Sequence, residues 1–218
     1  MKIFLYFWNK VFSATLSLVF PSFCLQCQKL GPLVCNRCFE TIDFLYEQPQ
    51  PKLNPLYMDD CIVACQFSGV MEKLIKSMKY QSVIDAGRFC GRLLYYCAAV
   101  PQVECIASVP IHTKRLRVRG FNQAEVIAQT LAENCGIPHQ PLLIRTIHGS
   151  NQARVKTKQD RMTHVSGHFS LNPKVFQLPK SVLLVDDVFT TGSTLNECAK
   201  VLKQHGVQTV IGLAVARK

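Results

Sequence analysis

Residues 182–194 read Val-Leu-Leu-Val-Asp-Asp-Val-Phe-Thr-Thr-Gly-Ser-Thr: an apolar, β-branched run, two carboxylates at its carboxyl end, then a loop of hydroxyls around one glycine. A helix is expected to follow over roughly 195–204. Each part has a chemical use. Gly192 lets the backbone approach an anion, and Thr190, Thr191, Ser193 and Thr194 offer hydroxyls. The free N–H groups and positive end of the helix favour a phosphate. Asp186 and Asp187 repel such a phosphate and instead suit neighbouring ribose hydroxyls, or Mg²⁺ held through water. In open α/β sheets, ligands bind at the carboxyl ends of parallel strands, which is where this loop stands. The plainer alternative is an acidic turn followed by a capped helix.

The rest of the second half and the middle of the chain alternate between the two periodicities. Strands are expected over 61–67, 105–109, 142–146 and 209–215, all short and apolar. Helices are expected where Val70, Leu74, Ile75 and Met78 recur, over 85–99, and over 124–133. Strand and helix in alternation predict an α/β fold, a parallel sheet with covering helices. The 218 residues allow one domain of ordinary size plus a small appendage and exclude a large multidomain machine. With 48% hydrophobic and 18% charged residues the chain can build a core and is not intrinsically disordered.

The appendage announces itself in cysteine. Cys24-Leu-Gln-Cys27 and Cys35-Asn-Arg-Cys38 are two CxxC pairs seven residues apart, with Gly31-Pro32 turning the chain between them. Four thiolates at this spacing predict one tetrahedral Zn²⁺, which would stabilise a segment too poor in apolar residues to fold alone. Two redox CxxC pairs are the alternative. Cys61 and Cys65 fall in a strand pattern, and Cys90 and Cys97 on one helical face, so these read as core. Eleven cysteines, several of them solitary in apolar surroundings, suit a reducing compartment, and the expected location is cytoplasmic. Prolines 49, 51 and 55 mark a linker. The expected organisation is therefore an apolar segment with the zinc knuckle over 1–47, a Pro-rich linker over 48–57, and the α/β domain over 58–218.

Residues 3–23 are largely apolar but interrupted by Asn9 and Lys10, and the longest unbroken apolar-to-small run is 13 residues where a membrane span needs about 20. Its aromatics beside Lys2 and Lys10 fit a helix packed on its own domain, or an interfacial helix making peripheral membrane contact.

Charge narrows the partners. Lys and Arg number 25 against 14 Asp and Glu, a net +11, and one zinc with four thiolates lowers this to roughly +9. Acidic partners follow: nucleic acid, phosphorylated small molecules or anionic lipid. Lys114, Arg115, Arg117 and Arg119 lie within six residues after the expected strand at 105–109, dense enough for a multiply charged anion or for a solvated basic turn or helix face. Asn122 is placed to cap the following helix and Phe121 to pack. Arg154, Lys156, Lys158 and Arg161 form a second basic stretch without apolar periodicity. Lys73, Lys76 and Lys79 follow one helix face, and Arg37 sits inside the knuckle.

The 13-residue run at 182–194 resembles the phosphoribosyl pyrophosphate (PRPP) signature of type I phosphoribosyltransferases. The wider pattern resembles the ComF family, which joins a four-cysteine knuckle to a phosphoribosyltransferase-like domain. The resemblance rests on the CxxC pairs, on residues 109–123 (Val-Pro-Ile-His-Thr-Lys-Arg-Leu-Arg-Val-Arg-Gly-Phe-Asn-Gln), on Gln152 with residues 160–169, and on 182–194, and spans most of 20–218. It implies a type I phosphoribosyltransferase-like sheet with a small N-terminal zinc-ribbon module. It implies that residues 190–194 bind a 5′-phosphate, that Asp186 and Asp187 bind ribose hydroxyls at the catalytic centre, and that the loop after 105–109 faces pyrophosphate with Mg²⁺. Arg154 and Arg161 would lie on a loop that closes over the ligand, and His164 stands where the family has asparagine.

Two functional readings follow. In one, PRPP is a ligand or effector of a competence protein that handles imported single-stranded DNA in natural transformation, alongside competence or recombination proteins, with the basic stretches as a groove for the strand. In the other, the chain is an active Mg²⁺-dependent phosphoribosyltransferase acting on a base, by positioning and charge stabilisation. The chain ends soon after the last expected strand, leaving little length for a base-binding hood, which favours the first. A scaffold docking membrane transport machinery through the aromatic N-terminus is a third.

Overall fold

The computed structural model describes residues 22–45, 57–146 and 168–218. The apolar residues 1–21, most of the Pro-rich linker, and the second basic stretch with Arg154, Arg161 and His164 lie outside them.

Four parallel strands form the main sheet: β1 (Asp60–Gln66), β2 (Cys105–Ser108), β5 (Ser181–Phe189) and β6 (Thr209–Arg217), in the order β1-β6-β5-β2. Helices α2 (Gly69–Tyr80) and α3 (Ile84–Cys97) follow β1, α4 (Thr113–Arg119) and α5 (Gln123–Cys135) follow β2, and α6 (Ser193–Gln204) joins β5 to β6. Period-two alternation on the central strands sorts the core into two halves. Leu183 and Val185 of β5 and Leu213 and Val215 of β6 pack with α2, α3 and α5. Val182, Leu184, Val210 and Ala214 face the other way, onto Leu195, Cys198, Ala199 and Leu202 of α6. The expected parallel sheet with covering helices is therefore present, and Cys61, Cys65 and Cys90 are buried in it.

Three local differences from the sequence expectation have physical causes. The strand expected at 142–146 does not join the main sheet: β3 (Leu143–Arg145) pairs antiparallel with β4 (Phe169–Leu171). The outer edge of β2 is already occupied, because Ile106 donates to Pro138 O and accepts from the Gln140 N–H, so residues 143–145 find their ladder elsewhere. Strand β5 continues through Asp186 and Asp187 to Phe189, paired with β6 all the way. Asn122 stands at the N-cap of α5 without a capping bond; its Nδ2 donates instead to Val109 O at 3.0 Å and ties the helix to the end of β2.

The N-terminal module folds onto the same sheet. It contains α1 (Asn36–Phe39), and its Cys24, Val34, Cys38 and Ile42 belong to the apolar cluster that holds Leu74, Met78 and Leu213. Residues 43–45 also bond the edge of β1, with Leu45 N–H donating to Ala64 O and Gln66 N–H to Asp43 O. No helix among the described residues is long and apolar enough to cross a membrane.

Candidate ligand cleft and metal centre

A cleft of about 780 Å³ opens at the carboxyl end of β5. Its floor carries Asp186 and Asp187, with Thr190 and Thr194 on the loop and helix start beyond them. Gly192 takes φ 75° at the N-cap of α6, the left-handed region that a side chain disfavours, and this turns the chain from strand into helix. Beside it the Thr191 hydroxyl donates to Ser193 Oγ at 3.0 Å, which fixes two of the hydroxyls foreseen for a phosphate.

The two carboxylates differ. Asp187 is buried and its Oδ1 meets Lys79 Nζ at 2.9 Å, a pair whose side chains are mostly removed from water. Asp186 Oδ1 accepts the Asp187 N–H at 2.8 Å. Burial first, and then the negative Asp187, push the Asp186 carboxyl up to about 7, against the opposing pull of that N–H and of the Lys79 and Arg145 charges. A cation or a set of hydroxyl donors placed here would relieve this cost.

The opposite wall is basic. Residues 113–119 form a helix with no buried residue, so the basic helix face is realised rather than a turn. It brings Arg115 and Arg119 into the cleft, while exposed Lys114 and Arg117 do not line it. Arg119 Nη1 donates to Gln123 Oε1 at 3.0 Å, and Gln123 Nε2 in turn to Met78 O at 3.3 Å, which fixes α4 and α5 against α2. The three lysines of α2 do not form one free face. Lys73 reaches Gln26 O of the knuckle, Lys76 pairs with Glu72, and Lys79 takes Asp187.

Arg145 had no place in the sequence expectation, Lys79 figured there only as one of three lysines on a helix face, and Asn122 only as a helix cap. Lys79 lies 108 positions from its partner, and nothing in its local pattern separates it from the other lysines of α2. Arg145 lines the cleft from β3 and sits over the Phe169 ring at 5.2 Å, a placement that follows from the β3–β4 register. Asn122 Oδ1 is buried without a partner among the described residues, on the cleft wall.

In the N-terminal module the Sγ atoms of Cys24, Cys27, Cys35 and Cys38 all lie within 4.8 Å of one another. Cys27 and Cys35 Sγ are 3.7 Å apart, close to the roughly 3.8 Å edge of a tetrahedron with 2.3 Å metal–sulfur bonds. The group can hold a metal ion, and an all-thiolate set suits zinc. Burial works to raise the Cys24 thiol, but the N–H groups of Cys27, Cys35 and Gln26 overcome it and bring it down to about 6. Burial and then the crowding sulfurs push Cys38 up to about 12. Four adjacent thiols resist joint ionisation unless a cation sits among them.

The phosphoribosyl transferase domain family matches residues 122–218. The chain is 30% identical over 167 residues to competence protein F of Haemophilus influenzae, covering 73% of each. It is 33% identical over 199 residues to DNA utilization protein YhgH of Salmonella typhimurium, covering 87% of this chain and 81% of that one. Among solved structures, the allosteric regulatory enzyme of purine biosynthesis overlaps 61% of this chain and 26% of its own, with 22% identity and a TM-score of 0.46. With its parallel sheet, its cleft at the end of β5 and its four-cysteine cluster, the chain belongs to the ComF family of competence and DNA-utilisation proteins that carry a phosphoribosyltransferase domain.

Proposed function

We propose that this protein handles single-stranded DNA entering the cytoplasm in natural transformation, and that its cleft binds PRPP with Mg²⁺ as a ligand coupled to that task. The observation that carries the ligand half of this reading is the meeting, in one cleft, of the Asp186–Asp187 floor, Thr190 and Thr194 of the turn after β5, and the Arg115–Arg119 wall. A phosphoribosyl ligand uses all three at once: the 5′-phosphate at residues 190–194, the ribose hydroxyls at the carboxylates, and the pyrophosphate toward Arg115 and Arg119. Lys114 and Arg117, on the outer side of α4, remain available to a strand backbone, and Arg154 and Arg161 extend the same charge in sequence. The names of the relatives, competence protein F and DNA utilization protein YhgH, support this reading, and under it the recombination or competence proteins that receive the strand would be the partners. Zn²⁺ in the knuckle would be structural. Mg²⁺ would supply positive charge to the pyrophosphate and draw on Asp186 or Asp187 through water.

The test is a titration of the protein into fluorescent oligothymidylate at two salt concentrations, with and without Mg²⁺ and PRPP. Neutralising about four phosphates of a single strand predicts affinity falling by tens of fold between ~50 and ~200 mM salt. PRPP should shift that affinity, and Asp186→Asn with Asp187→Asn should erase the shift. No DNA binding at low salt would sink this reading and leave the active phosphoribosyltransferase, which consumption of PRPP in the presence of a purine or pyrimidine base would establish.

A further inference from the structure

One wall of the cleft has no role in the phosphate, ribose or pyrophosphate contacts. It is made by the carboxyl end of α2 and by Phe67, just after β1. Tyr80, the last residue of α2, lines the cleft yet is 76% exposed, and half-buried Phe67, Pro110 and Ile111 line the same cleft. A large ring left in water beside a ligand cleft is an unused stacking face.

The position of this ring is set by the site itself. Lys79, its neighbour in sequence, is anchored on Asp187 at 2.9 Å. Met78 O accepts from Gln123 Nε2, and Ser82 Oγ donates to Arg119 O at 3.1 Å. Ser82 holds φ 55°, a left-handed conformation that costs a non-glycine residue energy and persists because these contacts fix the turn. The end of α2 is thus tied to β5, α4 and α5 on three sides. The Lys79 side chain spans the gap from that end to the Asp187 carboxylate.

We infer that Tyr80 is a nucleobase platform: the base of a nucleoside 5′-monophosphate whose phosphate lies at residues 190–194 and whose hydroxyls face Asp186 and Asp187 stacks on its ring. This rests on the phosphoribosyl reading of the cleft. Stacking needs the ring and not the hydroxyl, and it tolerates any base, because every base presents a π face. Tyr80 lies outside the core, so its replacement leaves the packing of α2 intact.

The experiment is calorimetric titration of wild type, Tyr80→Ala and Tyr80→Phe with adenosine 5′-monophosphate, ribose 5-phosphate, PRPP and oligothymidylate. Tyr80→Ala is expected to weaken adenosine 5′-monophosphate about tenfold, as loss of one base–aromatic stack does, and to leave ribose 5-phosphate unchanged. Tyr80→Phe should bind as wild type does. Equal affinity of wild type and Tyr80→Ala for the nucleotide overturns the proposal while ribose 5-phosphate binding leaves the cleft reading standing. A loss confined to oligothymidylate also overturns it, and moves the ring to a strand crossing the mouth. If none of the three phosphoribosyl ligands binds, the cleft reading fails and takes the platform with it.

Discussion

Asp186 and Asp187 are adjacent in sequence and point their charges into one cleft, but the protein treats them unequally. Asp187 has a counter-ion in Lys79, whereas Asp186 has burial and a like charge against it and titrates near 7. A carboxyl whose folded pKa lies above its unfolded value binds its proton more tightly in the fold, so the stability it lends is full below the unfolded value near 3.8 and is lost as pH rises through about 7. Asp186→Asn keeps the oxygen that accepts the Asp187 N–H and removes the charge. It should raise stability at pH 8 by on the order of 1 kcal/mol, or about 2–4 °C in melting temperature, and leave it unchanged at pH 4. Melting curves across pH 4–8 check this, and a variant equal to or below wild type at pH 8 overturns the assignment. These residues were legible in the sequence because their chemistry is contiguous: strand, carboxylates, glycine and hydroxyls follow in thirteen positions. Lys79 was not, because an ion pair across 108 residues is written only in the fold.

Elements were legible where one periodicity dominates. The strand and helix pattern of 61–78 and of 182–215 appears as β1, α2, β5, α6 and β6 because buried faces recur at the spacing each element demands. Residues 113–119 stayed open between turn and helix because α4 has no buried face to give a signal. Leu143–Arg145 was rightly a strand, but its partner depended on what already covered β2. The packing of α3 on α5 was also hidden. Glycine inside a helix normally costs about 1 kcal/mol against alanine, so replacing one should stabilise. At Gly91 that expectation reverses. A Cβ there would stand 2.6 Å from Thr130 Cβ and 2.7 Å from Ile127 O, and neither the branched carbon nor the helix backbone can yield cheaply. Gly91→Ala should therefore destabilise by roughly 1–3 kcal/mol through overpacking, read as a lower urea midpoint with an unchanged slope. A midpoint at or above wild type would mean that α3 and α5 separate freely, against the close approach of the two helices.

At the scale of the whole molecule, the knuckle and the sheet are joined more closely than two CxxC pairs and a Pro-rich stretch suggest. Cys24, Val34, Cys38 and Ile42 lie in the same cluster as Leu74, Met78 and Leu213, and Phe39 meets Phe89 of α3 edge-on with ring centroids 6.4 Å apart. Lys73 binds Gln26 O from α2, and about 1.7 turns later the same helix sends Lys79 to Asp187. Helix α2 thus lies between the four-cysteine cluster and the cleft at the end of β5. Cysteine spacing made the metal site readable, whereas this shared core depends on apolar residues that carry no mark of their partner. If the ion holds the knuckle in shape and the knuckle covers part of the core, removing the metal must weaken the sheet as well. Cys24→Ser with Cys27→Ser should lower bound zinc from one per chain to none. The variant should also lower the single unfolding transition by on the order of 5–10 °C, since each kcal/mol moves a domain of this size by about 2–4 °C. Scanning calorimetry with metal analysis on the same samples decides it. A small early transition, with the main one unmoved, would make the knuckle an independent unit and contradict the shared core. Unchanged zinc content would sink the four-thiolate assignment itself.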